Sequence, residues 1–511
     1  MNTVLVEADH ILLGFAADGE PDIRPDAALL VEDGTVREVG ERRAMLREHR
    51  EIPHLGGRGK VVIPGLVNAH HHVGLTPFQL GSADHPLELW FASRLALRDV
   101  PPRLDTLYSA FEMVASGVTT VQHLHSRAPG DGDAVLRTAG AVLDAYREIG
   151  MRASYSFALR DQNRLVYEAD EAFLQRLPAG LRPAMAAYFA RFALPLGEQV
   201  AVFHELYRRT RDEERIAVQI APSNLHWLSD AALASAAQMA DETGAPMHMH
   251  LLETPYQRAY AEKRTGGSAL EYIHSLGLAG PGLTIGHGVW MSEADIELCA
   301  HTGTRICHNC SSNFRLKSGI APVNRFMAEG IPVALGIDEA GINDDRDMLQ
   351  EMRLALHVHR EPGIESPAPT PAQILQMATE HGAGTTPFGR RIGHLSPGAA
   401  ADLVLLDWER VTYPYQNPDI ALADILVHRA RRECVETVMV AGEVIYRDGL
   451  FTRVDRGATL EEIARTMGRP DTAEEEERRS LARAVLPHVR TFYEGYLDAP
   501  FPPPHTRPNA R

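Results

Sequence analysis

Eight short apolar runs, each set off from the next by a helix-length stretch, constrain this chain more than any other feature. They fall at Val62–Asn68, Thr119–Leu124, Ala153–Ala158, Ala217–Ala221, Met247–Leu251, Leu283–His287, Arg305–His308 and Val333–Ile337. Short runs alternating with helical stretches are the pattern of parallel β/α units. Eight of them suffice to close a (β/α)₈ TIM barrel, an α/β fold whose chemistry sits at the C-terminal ends of the strands. Both chain ends read differently. Thr3–Val6, Ala28–Glu32 and Val36–Val39, with a turn at Asp33-Gly34, return in texture as Ala401–Leu406, Val435–Ala441 and Glu443–Tyr446. Neither group is large enough to stand alone, so one small β-sandwich built from both ends is the simplest solution. The expected organisation is a composite sandwich at 1–60 plus 392–457, a catalytic barrel at 61–391, and a helical, proline-ended tail at 458–511. The tail is read as solvated or as cover for an interface.

Composition narrows the function. A net charge of −17 with no basic cluster argues against a nucleic-acid partner. No apolar run approaches the ~18–20 residues of a membrane span. Met1–Leu13 has neither the basic start nor the apolar stretch of a signal peptide, so a cytoplasmic location is expected. Four cysteines make no disulfide framework, and Cys307-x-x-Cys310 lacks both a second pair and a thioredoxin-like setting.

The chemistry concentrates in Pro64-Gly65-Leu66-Val67-Asn68-Ala69-His70-His71-His72. Residues i and i+2 of a strand share a face, so His70 and His72 both point into the barrel mouth. Two inward imidazoles suit a metal better than an apolar core. Further along stand His250-Leu251-Leu252-Glu253, Ile285-Gly286-His287, the run Cys307-His308-Asn309-Cys310-Ser311-Ser312-Asn313, and Leu335-Gly336-Ile337-Asp338. A catalytic zinc takes about three protein ligands and keeps one position open. His70, His72 and His250 supply neutral nitrogens, and Asp338 can bind the ion or its water. Glu253, three residues past a ligand, can move protons at the reacting nitrogen, and His287 can stabilise developing negative charge.

In this order the motifs resemble the amidohydrolase superfamily, and within it the cytosine deaminase-like and triazine hydrolase group. The resemblance covers roughly residues 55–450. It implies His70, His72, His250 and Asp338 as metal ligands, with Glu253, His287 and Asp338 as catalytic groups. Where the group has proline in its seventh-strand signature this chain has Cys310. Some members bridge two metals with a carbamylated lysine on the fourth strand, but Ile216–Ser223 contains no lysine. One divalent metal is therefore expected: zinc by ligand type, with iron and manganese also compatible.

Specificity is where the chain departs from the group. Asp99 stands where adenosine-type deaminases carry a ribose-binding glutamate, Ser223 follows Pro222 where they carry histidine, and Glu339 replaces a glycine after Asp338. These departures argue against an S-adenosylhomocysteine-type substrate. Candidate substrate contacts are Trp90, Asp99, His125, Arg160, Gln162, His226, Trp227 and Asn313, with His125 and its neighbour His123 equally readable as structural. The expected activity is hydrolysis of a non-peptide C–N bond in a small molecule, foremost deamination of a purine, pterin, pyrimidine or triazine. The alternatives are hydrolysis of an exocyclic amide, urea, carbamate or chloro substituent and, more remotely, a non-catalytic scaffold. The family resemblance also favours a homodimer or larger homo-oligomer.

Overall fold

The computed structural model describes residues 3–126 and 129–497; Pro500–Pro508, part of the expected tail, lies outside them. Eight parallel strands form the barrel. The first arc runs through Leu66–His71, Val118–His125, Arg152–Leu159 and a fourth strand in two pieces, Ile216–Val218 and Ala221–Pro222. The second runs through Met247–Leu251, Leu283–His287, Arg305–His308 and Val333–Leu335. Parallel bridges Ile220↔Met247 and Asn224↔His250 join the arcs at one seam, and His71↔Asp338 joins them at the other. Both seams thus close at the residues singled out as ligands.

One expected strand is divided. The run Val62–Asn68 splits at Gly65, with Lys60–Pro64 entering the terminal sheet and Leu66–His71 entering the barrel. A Cβ on Gly65 would stand 2.1 Å from Thr119 Oγ1, so only glycine lets the chain pass from one layer to the other here.

The two chain ends build one continuous nine-stranded sheet. Its order is Leu450–Phe451, Glu443–Arg447, Val435–Val440, Leu403–Asp407, Lys60–Pro64, Thr3–Phe15, Pro21–Glu32 and Thr35–Glu41, with His54–Gly56 paired to Thr3–Phe15. In a flat sheet, Pro21–Glu32 and Val435–Val440 would be about 19 Å apart at four strand spacings. Yet a Cβ on Gly34, in the turn after the first of these, would lie 2.8 Å from the Ala441 carbonyl, in the turn after the second. The sheet therefore folds over on itself. Val6, Ile11, Leu29, Val31, Leu403, Leu405 and Met439 fill the interior with residues from both ends.

The C-terminal helix Ala473–Tyr493 corrects the reading of the tail as solvated. Its face Leu481, Ala482, Val485, Val489 and Tyr493 is buried against Leu89, Ala92 and Leu95 of the segment that roofs the barrel mouth, and against Tyr167 and Phe173. No described helix is long and apolar enough to cross a membrane.

Candidate active site

His70 and His72 sit at the end of the first barrel strand, His250 on the fifth, His287 ending the sixth, and Asp338 just beyond the eighth. His70 Nε2 is 3.0 Å from His72 Nε2, which is 3.0 Å from His250 Nε2. Asp338 Oδ1 lies 3.1 Å from His72 Nε2 and 3.6 Å from His70 Nε2. Ligands of a tetrahedral zinc, each ~2.05 Å from the ion, stand ~3.3 Å apart, so this spacing fits one ion.

The opposite ring nitrogens are all engaged. His72 Nδ1 donates to the Leu124 carbonyl, His250 Nδ1 to the Ser223 carbonyl at 2.8 Å, and His70 Nδ1 is 2.8 Å from His248 Nε2. A proton on Nδ1 of His72 and His250 turns the Nε2 lone pair inward, the arrangement a metal ligand needs. Burial holds His70 and His250 well below the usual imidazole range, hence neutral. Burial acts likewise on His72, but the Asp338 carboxylate outweighs it and raises that ring, as befits a pair that attracts a cation.

Backbone geometry is unusual at the same points. Leu252, His287 and Asp338 have φ of 53°, 73° and 65°, in the left-handed region that L-residues avoid. Behind His70 the barrel has no room for a side chain. A Cβ on Gly336 would come within 2.5 Å of His70 Cβ, and one on Gly286 within 3.0 Å of His70 Cε1.

Glu253 is buried, with Oε1 accepting from Ser318 Oγ at 3.1 Å and its backbone N–H donating to Gln257. Burial, then the Asp338 and Glu88 carboxylates, push its carboxyl well above the usual range, which favours its protonated form. His287 Nε2 lies 3.7 Å from both Glu253 Oε2 and Asp338 Oδ2, and its Nδ1 is 2.9 Å from Asn313 Oδ1. Burial lowers His287. Ser312 Oγ, which sequence reasoning did not select, donates to Asp338 Oδ2 at 2.6 Å.

Above these groups opens a cavity. Among the candidate substrate contacts, Trp90, Arg160 and Trp227 line it. The other five face elsewhere. Asp99, its side chain 58% exposed, pairs with Arg478 of the C-terminal helix. Gln162 spends its amide on the His226 and Leu228 carbonyls. His226 bonds Asn224 and packs on Tyr167 and Trp227. His125 stacks on His123, which is itself 2.8 Å from the Tyr146 hydroxyl. Asn313 lies behind His287. Sequence reasoning passed over Arg94, whose Nη1 is 3.1 Å from Glu339 Oε1, as well as Phe91, Tyr188, Phe192 and Asn224 of the wall. None carries a local sequence signal, since loops far apart in the chain bring them together.

A model of the amidohydrolase family matches residues 61–445. A 5-methylthioadenosine/S-adenosylhomocysteine deaminase of Nitratidesulfovibrio vulgaris (strain DSM 19637 / Miyazaki F) is 31% identical, over 90% of this chain and 96% of its own. It is named for the substrate type against which Asp99, Ser223 and Glu339 argue. A 5'-deoxyadenosine deaminase of Methanopyrus kandleri is 28% identical, over 88% of this chain and 96% of its own. Among solved structures, a zinc-bound adenosine deaminase from Xanthomonas campestris superposes with a TM-score of 0.74 at 24% identity, covering 91% of this chain and 98% of that one. An atrazine chlorohydrolase from Arthrobacter aurescens, complexed with zinc, gives 0.78 at 20% identity, covering 90% and 99%.

Proposed function

This chain belongs to the amidohydrolase family, and from that premise we propose that it is a metal-dependent aminohydrolase that deaminates an N-heterocycle. The observation that carries the reading is the convergence of His70, His72 and His250 Nε2 beside Asp338 Oδ1, next to the buried carboxyl of Glu253, which burial pushes above the usual range. These four residues would hold one divalent ion, zinc by its preference for imidazole and carboxylate. When bound, the ion supplies Lewis acidity that activates water and polarises the substrate.

The protein's own groups handle the protons. Glu253 gives its proton to the ring nitrogen as the water oxygen bonds to the amino-bearing carbon. Asp338, held ionised by His72, His287 and Ser312 against the effect of burial, takes the proton that the water gives up. His287, neutral and facing both carboxyls, can accept that proton in turn and leave a cation beside the oxygen that gains charge. The same proton then passes to the amino group, the C–N bond breaks to release ammonia, and the hydroxyl proton lost as the carbonyl forms returns to Glu253 and restores the acid. Trp90, Phe91 and Trp227 offer faces for a flat ring. The family resemblance also leads us to propose a homo-oligomer, which sedimentation at micromolar concentration checks.

The deciding experiment is ammonia release by the zinc-loaded enzyme across amino-purines, pterins, pyrimidines and triazines. Ammonia from at least one heterocycle class is expected. Release of chloride, or products from ureas and anilides alone, would replace this reading with hydrolysis of an exocyclic substituent.

A further inference from the structure

Three arginines line the cavity, and their counter-charges do not balance. Arg94 faces Glu339 at 3.1 Å and lies over the Trp90 ring. Arg164 is paired with Asp170, which also accepts its backbone N–H. Arg160 has no carboxylate within ion-pair reach among the described residues. Its Nη2 donates to the Arg164 carbonyl at 2.7 Å, and among the described residues its buried Nε has no partner and its Nη1 makes no hydrogen bond. The guanidinium is nonetheless held in place. It stacks 4.1 Å from the centre of the Trp227 ring, and Gln199 clamps the Arg160 backbone through both its N–H and its carbonyl.

An uncompensated guanidinium on a pocket wall is costly. Burial, only partly offset by Tyr188 and Asp170, pulls Arg160 down to about 9. The chain as a whole carries net charge −17, so a surplus cation here is not a reflection of general basicity. Its place in the barrel matters as well. Arg160 ends the third strand, midway between the first and the fifth and so across the mouth from His287 and Asp338 on the sixth and eighth. A ligand with its reacting carbon beside Asp338 would present its far end to Arg160.

We propose, resting on the deaminase reading, that the substrate is an amino-substituted N-heterocycle bearing one carboxylate on the side away from the reacting carbon, and that Arg160 binds that carboxylate. One unpaired guanidinium matches one negative charge. A phosphate dianion would need a second free cation, and Arg94 and Arg164 already face carboxylates. Stacking on Trp227 fixes the plane of the donors before the ligand arrives, which limits the entropy lost on binding.

The test uses matched pairs: carboxymethyl and carbamoylmethyl derivatives of adenine, 2-aminopyrimidine and a diaminotriazine, equal in shape and different in charge. The zinc-loaded enzyme should favour the acid over the amide by at least ~10-fold in kcat/KM on the scaffold it accepts, as a charge-assisted hydrogen bond implies. In Arg160→Met that ratio should fall to about 1 or below, and Arg160→Lys should keep part of it. Calorimetric titration of the zinc-loaded wild-type enzyme with the same pairs reads binding without turnover. Tighter binding of the acid with no ammonia from any scaffold would sink the deaminase reading and leave the carboxylate site standing. Ammonia from the amide as readily as from the acid would overturn the carboxylate site and leave the deaminase. No preference in either assay overturns the inference whatever Arg160→Met does.

Discussion

At the scale of single residues, Glu253 carries the sharpest expectation. Burial and two neighbouring carboxylates disfavour its charged form and raise its carboxyl well above the usual range. Glu253→Gln keeps the shape and leaves His70, His72, His250 and Asp338 untouched. It should retain metal and melting temperature while kcat drops by ~10²–10⁴, the usual cost of losing a general acid–base. Metal analysis and ammonia release on the same sample check it, and near-normal turnover would remove Glu253 from the mechanism. His250→Ala should instead lose metal and activity together, because its Nε2 meets His72 Nε2 at 3.0 Å. The positions of these residues were legible in the sequence. Strand alternation fixes which histidines of His70-His71-His72 face inward, and three positions after a ligand is a local relation. The far end of the pocket was not legible. Asp99 was a reasonable substrate contact by position alone, but Arg478, hundreds of residues later in the chain, draws it away. The pairing of Arg94 with Glu339 likewise exists only once the first and eighth strands are neighbours.

Elements show how the site is braced. Helix Met348–Val358 carries Glu351, whose carboxylate accepts from the Ser311 N–H at 2.9 Å and from the Ser311 hydroxyl, tying it to helix Cys310–Arg315 beside Asn313. Burial, only partly countered by those bonds, raises Glu351 from 4.5 to about 7. Folded protein therefore binds this proton more tightly than unfolded chain. The group costs nothing below pH ~4.5, the cost grows as pH rises toward 7, and above that it reaches ~3 kcal/mol. Glu351→Gln should thus gain stability over wild type progressively between pH 4.5 and 7, and urea unfolding at several pH values should reveal that slope. A difference independent of pH would show that Glu351 does not titrate as described. The C-terminal helix braces the roof of the pocket. Val485 is fully buried against the segment that holds Trp90, so Val485→Asp puts an unpaired charge into that seam. Protease cleavage near residue 470 and a raised KM should follow, with metal content unchanged. Metal loss in this variant would mean that the roof supports the ligands themselves. The sequence predicted a helix in the tail but not its seat, because an amphipathic face specifies that something is buried and not what covers it.

For the whole molecule, the ligands are the link between distant parts of the chain. His70 and Asp338 are at opposite ends of the barrel sequence, and the backbone N–H of Asp338 donates to the His70 carbonyl where the barrel closes. Folding alone brings Nε2 lone pairs to 3.0 Å from one another, an arrangement that is unfavourable without a cation between them. Metal that binds the folded chain and not the unfolded one adds stability by mass action, ~2.7 kcal/mol at a hundredfold excess over Kd. Chelation should accordingly lower the melting temperature by a few degrees, and one equivalent of zinc should restore it. The stoichiometry follows from the same geometry. Besides the groups that join His70 to His72 and His250 and to His287 and Asp338, the described residues hold one further cluster at His70, which uses its opposite nitrogen with His248 and Cys307. That nitrogen is already engaged by His248, and the Cys307 thiol is buried, with burial raising it well above its usual range. No lysine stands on the fourth strand to bridge a pair of ions. Metal analysis of chelated and reloaded enzyme should give one equivalent per chain, with calorimetry on the same samples recording the shift. Two equivalents would mean that the His248 and Cys307 side binds as well, and an unchanged melting temperature would mean that the barrel closes without help from the ion.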